Sequence, residues 1–118
     1  MPGYLSTHVL DTARGCPAAG LHITLYRLVG KHREKLVEMT TNSDGRTDTP
    51  ILPPEKFTTG TYELVFACGA YLEQHGQASG PIKFLDEIPI RFGMDDATSH
   101  YHVPLLLSAH GYSTYRGS

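Results

Sequence analysis

Between His100 and Leu106 the chain alternates. Tyr101, Val103 and Leu105 fall on one face of a predicted strand, and His100, His102, Pro104 and Leu106 on the other, because successive side chains in a strand point to opposite sides. One face is suited to a core and the other carries imidazoles. The segment Leu5 to Leu10 repeats the pattern, with Ser6, His8 and Leu10 on one face and Thr7 and Val9 on the other. Leu21 to Val29 predicts a strand with Leu21, Ile23, Leu25 and the deviating Arg27 on one side and His22, Thr24 and Tyr26 on the other. Lys35 to Thr41, Gly60 to Cys68 and Phe84 to Phe92 predict further strands, the last at a sheet edge or a bulge because Pro89 has no N–H to donate.

Between these segments the turn chemistry is explicit. Gly15 and Pro17 mark the loop after the first strand, and Asn42-Ser43-Asp44-Gly45 is a turn because Asn, Asp and Gly tolerate positive φ. Pro50, Pro53 and Pro54 predict a surface connection from Pro50 to Glu55 without regular pairing. Ala70 to His75, bounded by Gly69 and Gly76, holds enough helix formers for about two turns. A short strand from Tyr112 to Tyr115 follows the break at His110-Gly111. Seven or eight short strands with one small helix describe an all-β antiparallel sandwich, and nothing divides residues 1–118 into more than one domain.

Composition narrows the function classes. The formal net charge is -2 and no Lys/Arg stripe exists, so nucleic acid is not an expected partner. Lys31, Arg33 and Lys35 are interrupted by His32 and Glu34 and read as a solvated loop. No run approaches the roughly 20 apolar residues of a membrane span, so no membrane partner is expected. Cys16 and Cys68 are too few for a disulfide framework and suit a reducing compartment. With no signal peptide and no Ser-Lys-Leu end, the expectation is cytoplasmic, or peroxisomal or periplasmic if a leader precedes these residues.

Seven histidines are many for 118 residues, and His8, His100 and His102 lie on strand faces opposite the apolar ones. A solvated sheet face accounts for any one of them. His22, His32, His75 and His110 read as structural. A serine hydrolase needs a Gly-x-Ser-x-Gly elbow, which is absent. Zinc held by His100 and His102, with His8 as third ligand, is permitted by a His-x-His strand spacing, which is a weak signal. Neutral imidazole acting as general base toward water is the third chemistry, with Arg46 supplying a guanidinium for an anionic or carbonyl-rich substrate if the fold brings it near. The polar, aromatic and cationic segment after the final turn does not read as an idle tail.

The opening Leu-Ser-Thr-His-Val-Leu-Asp-x-x-x-Gly-x-Pro-Ala, the Asn-Ser-Asp-Gly-Arg turn, His-Tyr-His-Val-Pro-Leu-Leu-Leu-Ser and the final Tyr-Arg-Gly-Ser together resemble the transthyretin-related family, and within it the 5-hydroxyisourate hydrolases. The resemblance covers essentially the whole chain. It implies an eight-stranded sandwich of two four-stranded sheets with one short helix, assembled as a homotetramer, a dimer of dimers, with sites between dimers. It also implies hydrolysis of 5-hydroxyisourate to 2-oxo-4-hydroxy-4-carboxy-5-ureidoimidazoline in urate degradation, with no cofactor. Its site positions fall on His8, Arg46, His102 and Ser118 as catalytic groups, and on His8, Arg46, Tyr115, Arg116, Gly117 and Ser118 as substrate-binding groups. His100 is left as a neighbour. The hormone carrier of the same family has other residue types at positions 8, 46 and 102, which favours the enzyme over the alternative of a small-ligand carrier using the inter-dimer channel.

Overall fold

Two sheets of four strands face each other across an apolar core. In the computed structural model, which describes residues 2–117, the first sheet has the order β2-β1-β7-β8. It comprises β1 (Tyr4–Asp11), β2 (Cys16–Pro17), β7 (His100–Ser108) and β8 (Gly111–Thr114). The second has the order β4-β3-β5-β6, from β3 (His22–Val29), β4 (His32–Thr40), β5 (Gly60–Ala67) and β6 (Glu87–Met94). One α-helix among the described residues, α1 (Cys68–Gln74), follows β5 directly, and Pro54–Lys56 make a 3₁₀ turn.

The alternation read from the sequence is the alternation of burial. Along β1, Leu5, Thr7, Val9 and Asp11 are buried while Tyr4, Ser6, His8 and Leu10 are half-buried on the outer face. Tyr101, Val103, Leu105 and Leu107 of β7 join the same inner face. They meet Ile23, Leu25, Tyr62, Leu64, Phe66 and Ile88 from the second sheet. Burying a Leu, Ile or Phe contributes about 1.5–3 kcal/mol, so a slip of one residue in β1 or β7, which would turn these side chains outward, is strongly disfavoured. The register of the core is therefore also the register of the outer face.

Several expectations are corrected. All pairings are antiparallel except β1 with β7, which run parallel from Tyr4↔His100 to Asp11↔Leu107. Neighbouring strands in sequence return as hairpins, whereas β1 and β7 are joined through the whole second sheet and are free to run the same way. The segment Lys31 to Glu34 is not a loop. β4 begins at His32, and the turn is confined to Gly30 and Lys31.

Ile51 and Leu52 are buried, and Leu5 and Leu52 exchange backbone hydrogen bonds of 2.9 and 3.3 Å. The prolines flank this pair rather than occupy it, so Leu52 keeps the N–H that the pairing uses. The helix starts at Cys68, two residues before the expected Ala70, because the Gly69 N–H bonds the Asp86 carbonyl at 3.0 Å and packs the first turn against the β6 approach. A bulge at Leu25/Tyr26 breaks the alternation of β3. Pro104 keeps the outer face expected of it, opposite His8, but is buried there mid-sheet, with its carbonyl accepting from the Thr114 hydroxyl at 2.7 Å. Pro89 does lie on an edge strand, β6.

Candidate active site

The outer face of the first sheet assembles a row of polar side chains from four separate stretches. The β1–β7 register sets Ser6 opposite His102 and Tyr4 opposite His100, with His8 one pair further on, opposite Pro104. The His8 and His102 rings are therefore diagonal neighbours, 6.4 Å between centroids and tilted by 34°. Beyond β1, Arg46 makes an isolated bridge with His8, and beyond β7, Gly117 makes one with His102.

Arg46 is placed by the turn before it. Asn42 Oδ1 accepts from the backbone N–H groups of Asp44 (2.9 Å) and Arg46 (3.2 Å), and the Gly45 N–H returns to the Asn42 carbonyl at 2.9 Å. Gly45 has φ of 73°, which a side chain would strain, and its carbonyl accepts from the Val9 N–H at 2.8 Å. That bond ties the turn to β1 and delivers Arg46 beside His8.

On the opposite side the Gly117 N–H donates to the His102 carbonyl at 2.7 Å. Together Ser6, Arg46, His100, His102, Tyr115 and Gly117 line a pocket of about 300 Å³. His8 is not part of that lining. A larger cleft of about 420 Å³ lies on the second sheet around Leu36, Met39 and Tyr62, but its lining contains no histidine or cysteine.

The Ser6 hydroxyl lies 2.7 Å from His100 Nε2 and 2.7 Å from His102 Nδ1. Tyr4 stacks on His100 at 4.0 Å, fixing that ring's plane. Burial and then the Arg46 charge hold His8 below the usual imidazole pKa, only partly opposed by a hydrogen bond and charge from Asp44. Burial, Arg46 and the two neighbouring histidines push His102 the same way, and burial and Arg116 do so for His100. All three are thereby held neutral near pH 7, the form in which an imidazole nitrogen can accept a proton.

Of the residues singled out from the sequence, His8, Arg46, His102, Tyr115 and Gly117 converge. Arg116 does not enter the pocket. Its guanidinium lies 4.1 Å over the Tyr101 ring and lines a separate cleft with Phe92 and Tyr115. Ser118 lies outside the described residues. The residue that the sequence left without a role is Ser6. Its face was legible, but its position opposite His102 depends on a pairing between chain segments 96 residues apart. His100, left as a neighbour, shares that hydroxyl. The zinc alternative finds no support, since no group of three His, Cys, Asp or Glu side chains among the described residues is disposed to hold a metal ion.

A second polar cluster lies inside the sandwich. Asp11, 1% exposed, accepts from the Tyr71 hydroxyl and Gln77 Nε2, each at 2.7 Å, and from the Arg14 N–H at 3.0 Å. Burial alone would raise the Asp11 pKa, but these bonds more than offset it and hold the carboxyl below its ordinary value. Burial and the bond to Asp11 push the Tyr71 hydroxyl up to about 12. This cluster ties β1 to α1 and shares no residue with the lining of the histidine pocket.

Comparison with known proteins agrees with this arrangement. The model of the HIUase/Transthyretin family matches residues 5–117. Over 116 residues the chain is 58% identical to 5-hydroxyisourate hydrolase 2 of Rhizobium meliloti, covering 98% of this chain and 97% of that one. A crystal structure of (S)-allantoin synthase matches with a TM-score of 0.91 and 46% identity over 99% of this chain but 44% of that one, so this chain spans less than half of that protein. The 5-hydroxyisourate hydrolase of Klebsiella pneumoniae matches with a TM-score of 0.80 and 35% identity, covering 98% and 94% of the two chains. The parallel β1–β7 pair that sets the histidines beside Arg46 thus belongs to a fold shared along nearly the whole length, and the chain belongs to the HIUase/Transthyretin family.

Proposed function

We propose that this protein hydrolyses 5-hydroxyisourate, opening an amide bond of its six-membered ring to give 2-oxo-4-hydroxy-4-carboxy-5-ureidoimidazoline. The observation that carries the reading is the convergence of two imidazoles held neutral, His8 and His102, with the Arg46 guanidinium on the face of one sheet. The identity to the Rhizobium meliloti hydrolase supports the choice of substrate.

In this mechanism one imidazole takes a proton from water as the oxygen adds to the ring carbonyl carbon. Negative charge then develops on the carbonyl oxygen, and Arg46 stabilises it. The C–N bond breaks as the imidazolium just formed returns its proton to the leaving nitrogen while the second imidazole positions the water, and the new carboxyl group then ionises to the carboxylate. Water is the only co-reactant, so the chemistry asks for no cofactor. Tyr115 and Gly117 wall the pocket from the far side of β7.

The working form is a homotetramer, with the outer face of the first sheet covered by a second copy. The motive is that Tyr115 is exposed at the pocket and that Leu10 and Leu106, paired on this same face, are left only half-buried. The free thiols Cys16 and Cys68 support a reducing, cytoplasmic setting.

The test is to generate 5-hydroxyisourate in place with a urate oxidase and follow its ultraviolet decay with and without the protein. Wild-type protein accelerates the decay, and His8→Ala, His102→Ala and Arg46→Ala each slow turnover by about a hundredfold or more. No acceleration over the spontaneous rate by wild-type protein sinks the reading.

A further inference from the structure

The Ser6 hydroxyl has one proton to give and lone pairs to receive with, yet it stands 2.7 Å from a ring nitrogen of each of two histidines. If it donates to one, it accepts from the other. The protonation patterns of His100 and His102 are therefore not independent while both rings are neutral. Burial and nearby positive charge favour that neutral state for each ring.

Two proton orders give the hydroxyl's own proton to one of the two rings. In the first, Ser6 donates to His100 Nε2 and accepts from a protonated His102 Nδ1, which leaves His102 Nε2 as a bare lone pair. In the second, Ser6 donates to His102 Nδ1 and accepts from His100 Nε2–H, which leaves a proton on His102 Nε2. Arg46 distinguishes them. Its guanidinium lines the same pocket, and its positive field favours a lone pair over an N–H dipole on the nitrogen that Ser6 does not occupy. The first order is the one that equips His102 to take a proton from water.

We propose that Ser6 is a positioning residue for the hydrolytic reaction and that, with His100 behind it, it holds His102 in the tautomer whose Nε2 is free to act as the general base. The inference rests on the proposed function and deepens it, since it assigns the base role to His102 rather than His8. His100 is the anchor of the arrangement. Tyr4 stacks on it at 4.0 Å and 13°, so its Nε2 is held at a fixed point for the Ser6 proton. Ser6 itself is set directly across the parallel pair from His102 by the register of the core, so a change of rotamer is the only freedom the hydroxyl keeps.

The experiment combines kinetics with nitrogen NMR of the imidazoles above about pH 7.5, where the rings are neutral. The His102 signals are identified by their loss in His102→Gln. In wild-type protein His102 is expected to show a protonated Nδ1 and an unprotonated Nε2, and in Ser6→Ala a mixture of the two tautomers. Ser6→Ala lowers kcat about 10- to 100-fold, the scale for losing a group that orients a functional histidine, while KM changes about twofold at most. His100→Ala does the same, and the double variant is no slower than either single one, because the two residues act as one unit. Ser6→Thr, which keeps the hydroxyl, restores kcat to within about fivefold of wild type.

A protonated His102 Nε2 in wild-type protein overturns the proposal, and so does full kcat in Ser6→Ala protein with an unchanged melting temperature. Wild-type protein that shows the expected tautomer but no turnover supports the coupling through Ser6 and overturns the hydrolase reading, so the two failures are distinct.

Discussion

Gly117→Ala adds one methyl group at the point where the chain crosses His102. A Cβ at Gly117 meets His102 Cδ2 at 2.6 Å, Cγ at 3.2 Å and Cβ at 3.3 Å. Carbon atoms in comfortable contact stand about 3.5–4.0 Å apart, so either the ring or the crossing segment must yield by about 1 Å. Gly117 is not among the glycines with positive φ, so the demand here is for space and not for backbone freedom. If the segment yields, it gives up the Gly117 N–H to His102 carbonyl bond of 2.7 Å, at a net cost of about 1 kcal/mol. If the ring yields, Nδ1 leaves the Ser6 hydroxyl and the imidazole is misaimed. Either movement deforms the pocket wall, and a misplacement of about 1 Å costs on the order of a hundredfold in turnover. The melting temperature should fall by no more than about 4–8 °C. Gly93→Ala is the control, because a Cβ there meets nothing within 4 Å and φ is not positive. Stopped-flow decay of 5-hydroxyisourate and thermal melting on the three proteins decide the matter. Gly117→Ala protein with wild-type turnover would refute the close-contact argument.

Arg46→Ala should shift the acid limb of the kcat/KM profile to higher pH, because the Arg46 charge is second only to burial in lowering His8 and His102. An unshifted limb in the residual activity would show that burial alone sets these values. Because all three site histidines are lowered in the folded chain, the unfolded chain takes up protons first as pH falls below about 6.5. Their contribution to stability is complete above that value and is lost as pH drops toward the folded-state pKa values, which melting curves at several pH values will register. Deleting residues 115–118 should abolish turnover and leave the sandwich folded by circular dichroism, since Tyr115 is 62% exposed and the crossing makes one backbone bond to His102. Retained turnover would reduce the segment to a marker of family. Asp11→Ala should do the reverse. It strands the Tyr71 hydroxyl and Gln77 amide and costs roughly 3 kcal/mol in chemical denaturation, with unchanged turnover per folded molecule.

What the sequence made legible was whatever depends on period and local turn chemistry. The faces of β1 and β7 followed from alternation alone, and with them the outward positions of Ser6, His8, His100 and His102. The Asn-Ser-Asp-Gly turn was legible because Gly45 needs its positive φ. What stayed hidden depends on which distant segment lies alongside. Ile51 and Leu52 looked like part of a proline-rich surface stretch until Leu5 was found pairing between the prolines. Asp11 drew no role from the sequence, because nothing near it announces Tyr71 and Gln77 as donors. The Ser6 hydroxyl became a candidate only with the β1–β7 register, and Arg116 turned away because Tyr101 offers its guanidinium a ring face.

The parallel pairing of β1 with β7 also sets an order of events during synthesis. The strands of the second sheet are consecutive in the chain apart from α1 and the connections, so that sheet has all its partners as soon as β6 has emerged. β1 leaves the ribosome first but must wait for β7, since Ser6 and His100 are 94 residues apart. At about 5–20 residues per second that wait lasts several seconds to tens of seconds. Through it, the inner face of β1, Leu5, Val9 and their neighbours, has half of its sheet missing. The closing of β1 on β7 is then a single late event that seals the core and brings Ser6 and the histidines together, so a nascent chain gains its imidazole cluster only when it gains its fold.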